Sequence, residues 1–214
     1  DEKFSNFDGH LRISGSISND KLSKIKSLKN VKSVLINYER KGVINYLSNQ
    51  LLVTFKQVSP DYFESFYEIP YVGALPLENE ILLGNDIALR LGIRVGDMVK
   101  ISSPLDKSFI LGFPLTLEVK VSGIFSSKIL NYDSKYIIIS ETIGNRLFSN
   151  VFENQFIDIK LNHSSKIDEA RRMVSNVIGG KIISSWRDRN TVLVGAMQME
   201  KIGSLVVLSL ILLV

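Results

Sequence analysis

From His10 to Ile17 apolar and polar residues alternate, the period-two pattern of a half-buried strand. Ser18 or Asn19 then offers a cap for a short helix reaching Leu28, with Leu22, Ile25 and Leu28 on one face. Val31 to Asn37 and Gly42 to Lys56 read as β-structure, with Glu39-Arg40-Lys41-Gly42 as the turn between them and Ser48-Asn49-Gln50 as a break or bulge. The same grammar returns later. Phe156 to Leu161 is a strand, Ser164 to Ile178 a helix, Gly179-Gly180 its stop, and Lys181 to Ser184 a strand.

Two β-α-β units flanking a middle section predict an α+β protein with a split ferredoxin-like domain. Residues 59–150 then form a β-rich insertion. Within it, Glu80 to Leu83 is a strand, Gly84 to Leu91 a helix, Gly92 to Asp97 a turn and Met98 to Ser102 a strand. Leu117 to Phe125 and Tyr136 to Ile139 add strands, and Glu141 to Phe148 a helix. Residues 104–115 read as a hairpin whose apolar groups Phe109, Ile110, Leu111 and Phe113 surround Gly112, where a turn is normally polar. They either meet a partner or fold back onto their own sheet.

The last stretch, Met199 to Val214, carries no charge after Lys201. A membrane-spanning helix needs roughly 20 apolar residues to cross about 30 Å of hydrocarbon, and Ile202 to Val214 is shorter. A helix packed on a core would show a polar face, yet only Gly203, Ser204 and Ser209 interrupt this run. The pattern predicts the start of a transmembrane helix, against the alternative of a C-terminal core helix. Four segments follow: residues 1–58, the insertion 59–150, residues 151–185, and a stalk with truncated transmembrane helix at 186–214.

Composition adds little beyond this. A 45% apolar share of 214 residues is enough for a proper core, and 26 basic against 22 acidic residues give only +4. The densest basic group, Lys21, Lys24, Lys26, Lys29 and Lys32, has the spacing of a solvated helix face, so no nucleic-acid partner is expected. Absent cysteine excludes a disulfide scaffold. No signal peptide is visible at Asp1, so export would depend on an upstream segment.

Chemistry is sparse. Gly180-Lys181 is followed by Ile182, so there is no phosphate-binding loop, and no G-x-S-x-G elbow occurs. His10 and His163 lack neighbouring ligands at metal-binding spacing and read as packing or surface residues. Asp168-Glu169 and Glu78/Glu80 read as a helix first turn and a solvated loop. An enzyme is the least supported class, and no cofactor or metal is implied.

Several stretches carry a resemblance: EILLGNDIALRLGIRVGDMVKISSP, VSGIF with NYDSKYIIIS, and SWRDRNTVLVGAMQMEKIGSLVVLSLILLV. Together with Phe7-Asp8-Gly9-His10, they make the chain similar to the lipoprotein-releasing permeases LolC and LolE, within the ABC permease class that includes MacB and FtsX. The resemblance implies a periplasmic region between two transmembrane helices of a bacterial inner-membrane protein, with a porter-type α/β part interrupted by a β-rich insertion. It also implies extraction of triacylated lipoproteins by two permease subunits, this chain pairing with itself or a paralogue. A separate cytoplasmic ATPase dimer drives the process, and cargo passes to a LolA-like chaperone.

In the LolC-like branch a hook hairpin docks that chaperone. Residues 104–115 match it, with Phe109, Ile110, Leu111, Gly112 and Phe113 at or near the tip, Pro114 on the returning arm and Lys100 at a basic position of the base. The hairpin is shorter than the LolC-like form, and Thr116-Leu117 stands where polar or basic residues would aid docking, which keeps a LolE-like subunit open. Val192, Leu193, Met197 and Met199 are read as acyl-chain contacts or as packing against a partner stalk. Trp186 to Val214 is read as a continuous lever. Two alternatives stay open: a MacB- or FtsX-type permease for efflux or hydrolase activation, and a membrane-tethered adaptor without a transport role.

Overall fold

Gly42 stands where the sequence predicts a turn, yet the chain runs straight through it. A computed structural model describes residues 7–104, 109–110, 113–148 and 155–213. In it Val31–Tyr46 is one 16-residue strand, β2, and the reversal comes at Leu47-Ser48, with Leu47 at φ 52°. The predicted turn at 39–42 is therefore wrong, and the break at Ser48 is the true hairpin. The glycine is there for space. A Cβ on Gly42 would lie 2.2 Å from the Phe55 ring and 2.5 Å from the Ser102 carbonyl oxygen, so it marks close approach of strands. Gly42→Ala is expected to cost about 1–3 kcal/mol in a denaturant titration, because the Ser102 backbone cannot yield; a cost near zero would contradict this packing.

The other strands are β1 (Leu11–Ser14), β3 (Asn49–Gln57), β4 (Tyr71–Gly73), β5 (Glu80–Gly84), β6 (Met98–Ser102), β7 (Phe109–Ile110), β8 (Phe113–Pro114), β9 (Thr116–Phe125), β10 (Tyr136–Ile139), β11 (Gln155–Leu161) and β12 (Ile183–Ser185). The helices are α1 (Asn19–Lys26), α2 (Pro60–Phe66), α3 (Asn85–Leu91), α4 (Leu130–Asp133), α5 (Glu141–Leu147), α6 (Ile167–Ile178), α7 (Trp186–Arg189) and α8 (Thr191–Leu213). Helices α2 and α4 and strand β4 were not foreseen in the sequence pattern.

One mixed sheet joins nearly all the strands. At one end the order is β12-β1-β11-β2, every neighbour antiparallel, with α1 linking β1 to β2 and α6 linking β11 to β12. The apolar stripes of these helices, Ile25 on α1 and Ala170, Val174 and Ile178 on α6, pack with Leu11, Ile13, Ile157, Ile159 and Trp186. At the other end β2, β3, β10, β5, β9 and β6 pair in a closed ring. Its interior is filled by alternate residues of each strand, among them Ile44, Phe55, Leu83, Ile101, Val119 and Ile137. Closure removes the unpaired edges that an open sheet of this size would expose. β2 serves both ends: Val31 to Tyr38 pair with β11, and Val43 to Asn45 with β6.

A third apolar cluster, rich in aromatic rings, fills the outer face between the two ends. Phe7 stacks on Tyr132 at 4.6 Å and on Phe125 at 5.6 Å, while Phe63 and Phe66 of α2 and Tyr67 just after it close the cluster.

The chain leaves through α7 and α8. Ser185 and Asp188 form a capping box, each side chain accepting from the other's backbone N–H. Helix continuity then fails at Asn190 (φ −125°, ψ 42°), so the expected lever from Trp186 onward is two helices with a break. The cause is local: Asn190 donates from both its backbone and its side chain to the Trp186 carbonyl, closing α7. α8 then runs 23 residues, held at its start by Val194 against the β1/α6 core, while Ile202, Leu205, Val206, Leu208 and Ile211 stand exposed. Among the described residues no helix is long and apolar enough to cross a membrane.

Candidate functional site at the stalk junction

Where α7 meets the sheet, three carboxylates and three cations lie in one buried cluster. Asp158 on β11 is fully buried and accepts from Arg12 Nε at 2.6 Å, Arg12 Nη2 at 2.8 Å and Asn37 Nδ2 at 2.7 Å. Lys56 on β3, also 0% exposed, places its Nζ 3.3 Å from Asp8, 3.4 Å from Glu39 and 3.5 Å from Asp158. The Lys56 ammonium also sits 4.7 Å from the centroid of Phe7, with Tyr67 and Tyr136 around it. Arg12 further pairs with Glu39 at 2.8 Å. Such groups leave water only as a set, because a lone buried charge is costly.

The sixth member comes from the stalk. Arg189, the last residue of α7, pairs with Asp8 Oδ2 at 3.3 Å and donates to the carbonyls of Asp8 and Gly9 at 3.4 Å each. Tyr132 on α4 donates its hydroxyl to the same Asp8 carboxylate at 2.9 Å. Burial pushes the Asp8 carboxyl up, but Arg12, Lys56 and Arg189 together hold it well below the ordinary carboxylate range. Burial likewise pulls Lys56 and Arg12 down, and the carboxylates around them hold both above their ordinary values.

The oxygens of Asp8, Glu39 and Asp158 approach within 4.8 Å of one another, as metal ligands would. The site does not fit a cation, because Arg12 and Lys56 nitrogens already stand between those oxygens and three positive side chains balance three negative ones. Its chemistry is mechanical: it ties β1, β2, β3, β11 and α4 to the residue from which the stalk departs.

His10 beside it is a packing residue, as expected. It is buried, and its Nδ1 accepts from the Leu161 N–H at 3.1 Å, which requires the neutral ring. Burial, then the Lys160 and Lys32 charges, lower its pKa to about 4. The unfolded chain takes up this proton near 6.5 and the folded chain only near 4, so stability falls as pH drops between those values. Between pH 7 and pH 5 this loss is expected to be about 2 kcal/mol. His10→Asn should flatten that part of the profile in urea titrations, and an unchanged slope would contradict the assignment.

The resemblance-based residues lie elsewhere. The hairpin exists: Phe109 pairs with Pro114 and Ile110 with Phe113 in a two-strand ladder separate from the main sheet. Leu111 and Gly112 lie outside the described residues. The ladder rises from β6 and β9, whose ends are joined by Ser102 and Thr116. Lys100 is exposed on β6, opposite Glu118 and Asn45. On α8, Val192, Met197 and Met199 are exposed, and the Leu193 side chain lies outside the described residues.

No family model matches this chain, and no curated protein does. Among solved structures, the fold matches the extracellular domain of the noncanonical ABC-type transporter YknZ from Gram-positive bacteria. The identity is 12% and the TM-score 0.51, over 82% of this chain and 97% of that one. It also matches the periplasmic region of MacB from Actinobacillus actinomycetemcomitans, with 12% identity and a TM-score of 0.51, over 86% of this chain and 91% of that one. The fold is similar to that of extracytoplasmic ABC-permease domains. The α+β architecture with its large mixed sheet is thus that of MacB-like periplasmic domains.

The ionic cluster was missed in the sequence because its members are scattered from Asp8 to Arg189. A signal was present: Arg12 stands between Leu11 and Ile13, Asp158 between Ile157 and Ile159, and Lys56 directly after Phe55. A charge inside an apolar strand buried on both faces needs a partner across the sheet.

Proposed function

We propose that this chain is the periplasmic part of an inner-membrane ABC permease subunit that extracts triacylated lipoproteins and hands them to a LolA-like chaperone. A second permease subunit and a separate ATPase dimer complete the assembly, and the chain itself is non-catalytic. The observation that carries the permease reading is the MacB-like fold with α8 leaving it from a charge-locked junction. On this reading the β12-β1-β11-β2 part is the split ferredoxin-like, porter-type domain, the strand ring with its hairpin is the insertion, and the exposed apolar end of α8 begins a transmembrane helix. ATP-driven movement of that helix is delivered through Arg189 to four strands at once, so the domain moves as a unit.

The lipoprotein assignment rests on the SWRDR, FDGH and MEK motifs and on the hairpin's apolar sequence. Photocrosslinkers at Phe109, Phe113, Met197 and Met199 in the full-length protein test it. The expected outcome is hairpin adducts with a small soluble periplasmic protein and stalk adducts with acylated lipoproteins. The solved structures favour a second reading, a MacB-type efflux permease, and that reading is correct if neither adduct forms while an ATPase still copurifies.

A further inference from the structure

We propose that the groove beside the first turns of α8 binds the headgroup of an anionic membrane phospholipid. This rests on the permease reading only in placing α8 at the membrane; the groove itself is a feature of the fold. Its volume is about 760 Å³, and it lies between α4 with its preceding loop and the α7–α8 link. Leu130, Val192 and Ala196 supply apolar wall, with Leu130 67% and Val192 87% exposed. Arg90, Lys128 and Arg189 supply the charge, and among the described residues no carboxylate lines the groove. An open cleft with one apolar side and three cations is complementary to an anionic amphiphile.

The cations differ in availability. Arg189 is committed to Asp8 at 3.3 Å, and Arg90 pairs with Asp86 at 2.7 Å while remaining half exposed. Lys128 is exposed and makes no ion pair among the described residues. It is also presented by a fixed backbone. Its φ is 59°, a left-handed conformation rare outside glycine, and Ser127 holds the loop by donating to Asp133 at 2.6 Å and accepting from the Ile129 N–H at 3.2 Å.

Position supplies the second argument. Ala196 precedes Ile202, where the apolar run begins, by about 9 Å of helix, and Val192 by about 15 Å. The polar headgroup layer extends about 5–8 Å beyond the hydrocarbon on each side. With Ile202 at that boundary, Ala196 at the lower lip of the groove stands about 1–4 Å above the headgroup layer, so the bound lipid rises by that distance to enter the groove. The lipid phosphate then faces Lys128 and Arg90, and its glycerol and upper chains follow Ala196 along α8.

The test is native mass spectrometry of the full-length protein in neutral detergent, with phosphatidylglycerol or phosphatidylcholine added in equal amounts. The expected result is retention of phosphatidylglycerol over phosphatidylcholine, falling about tenfold or more in Arg90→Glu/Lys128→Glu. Lys166→Glu, an exposed lysine on another face, should retain the lipid like the parent, and thermal melts would verify that all variants fold. Equal retention of the two lipids, or unchanged retention in the double variant, would overturn the proposal. Full displacement by soluble glycerophosphate would also overturn it, marking an anion site without lipid specificity. Carbonate extraction of membranes reads α8 insertion separately, so the permease reading fails on that measurement and the groove on this one.

Discussion

Asp158→Asn is expected to destabilise the protein by about 3–5 kcal/mol, enough to remove much of the stability of an ordinary domain. The carboxylate is fully buried and holds Arg12 by two hydrogen bonds and Lys56 by proximity. Losing its charge while keeping its shape leaves three cations facing two carboxylates with little access to water. The cost comes from that imbalance and from the new amide NH2, a donor that faces Arg12 or Asn37 where a carboxylate oxygen had accepted. A double variant that also neutralises a cation, Lys56→Met with Asp158→Asn, should therefore recover part of the loss. Urea unfolding followed through Trp186, buried in the adjacent core, measures both. A loss below about 1 kcal/mol for the single variant, the range of an exposed pair, would mean the cluster is not sealed from water.

The second large effect concerns α8. Leu205→Arg with Leu208→Arg places two charges in the run whose side chains stand exposed. If that run enters the bilayer, each arginine costs about 2.5–3.5 kcal/mol, so the pair costs about 5–7 kcal/mol. The full-length protein should then move from the carbonate-resistant membrane fraction to the extractable one, or fail to accumulate. Folding of the domain itself should be untouched, because neither residue packs against the sheet cores. Unchanged membrane retention would place the anchoring elsewhere.

These two regions differ in how far the sequence revealed them. The apolar run of α8 is contiguous, so its meaning lies in local composition. The β-α-β units at each end were likewise legible, because strand alternation and the Leu22-Ile25-Leu28 stripe are short-range patterns. The ionic cluster depends on pairings such as Arg12 with Asp158, 146 positions apart, and no local pattern contains that information. Gly42 shows the same limit: beside Glu39-Arg40-Lys41 it looks like a turn, and only the approach of Phe55 and Ser102 explains it. Helix α2 hid because Phe63, Phe66 and Tyr67 face an aromatic cluster completed by Phe7, Phe125 and Tyr132 from distant segments. Asn190 was read through as lever because its helix-closing bonds to Trp186 are invisible in hydropathy.

The most direct test of the permease account is affinity purification of the full-length protein from native membranes, followed by assay of ATP hydrolysis in the eluate. The account predicts that a nucleotide-hydrolysing chain copurifies in near-stoichiometric amount, with vanadate-sensitive activity that this chain alone lacks. A membrane protein that elutes without any ATPase, from membranes where its partners are expressed, would contradict the account and leave a tethered adaptor in its place.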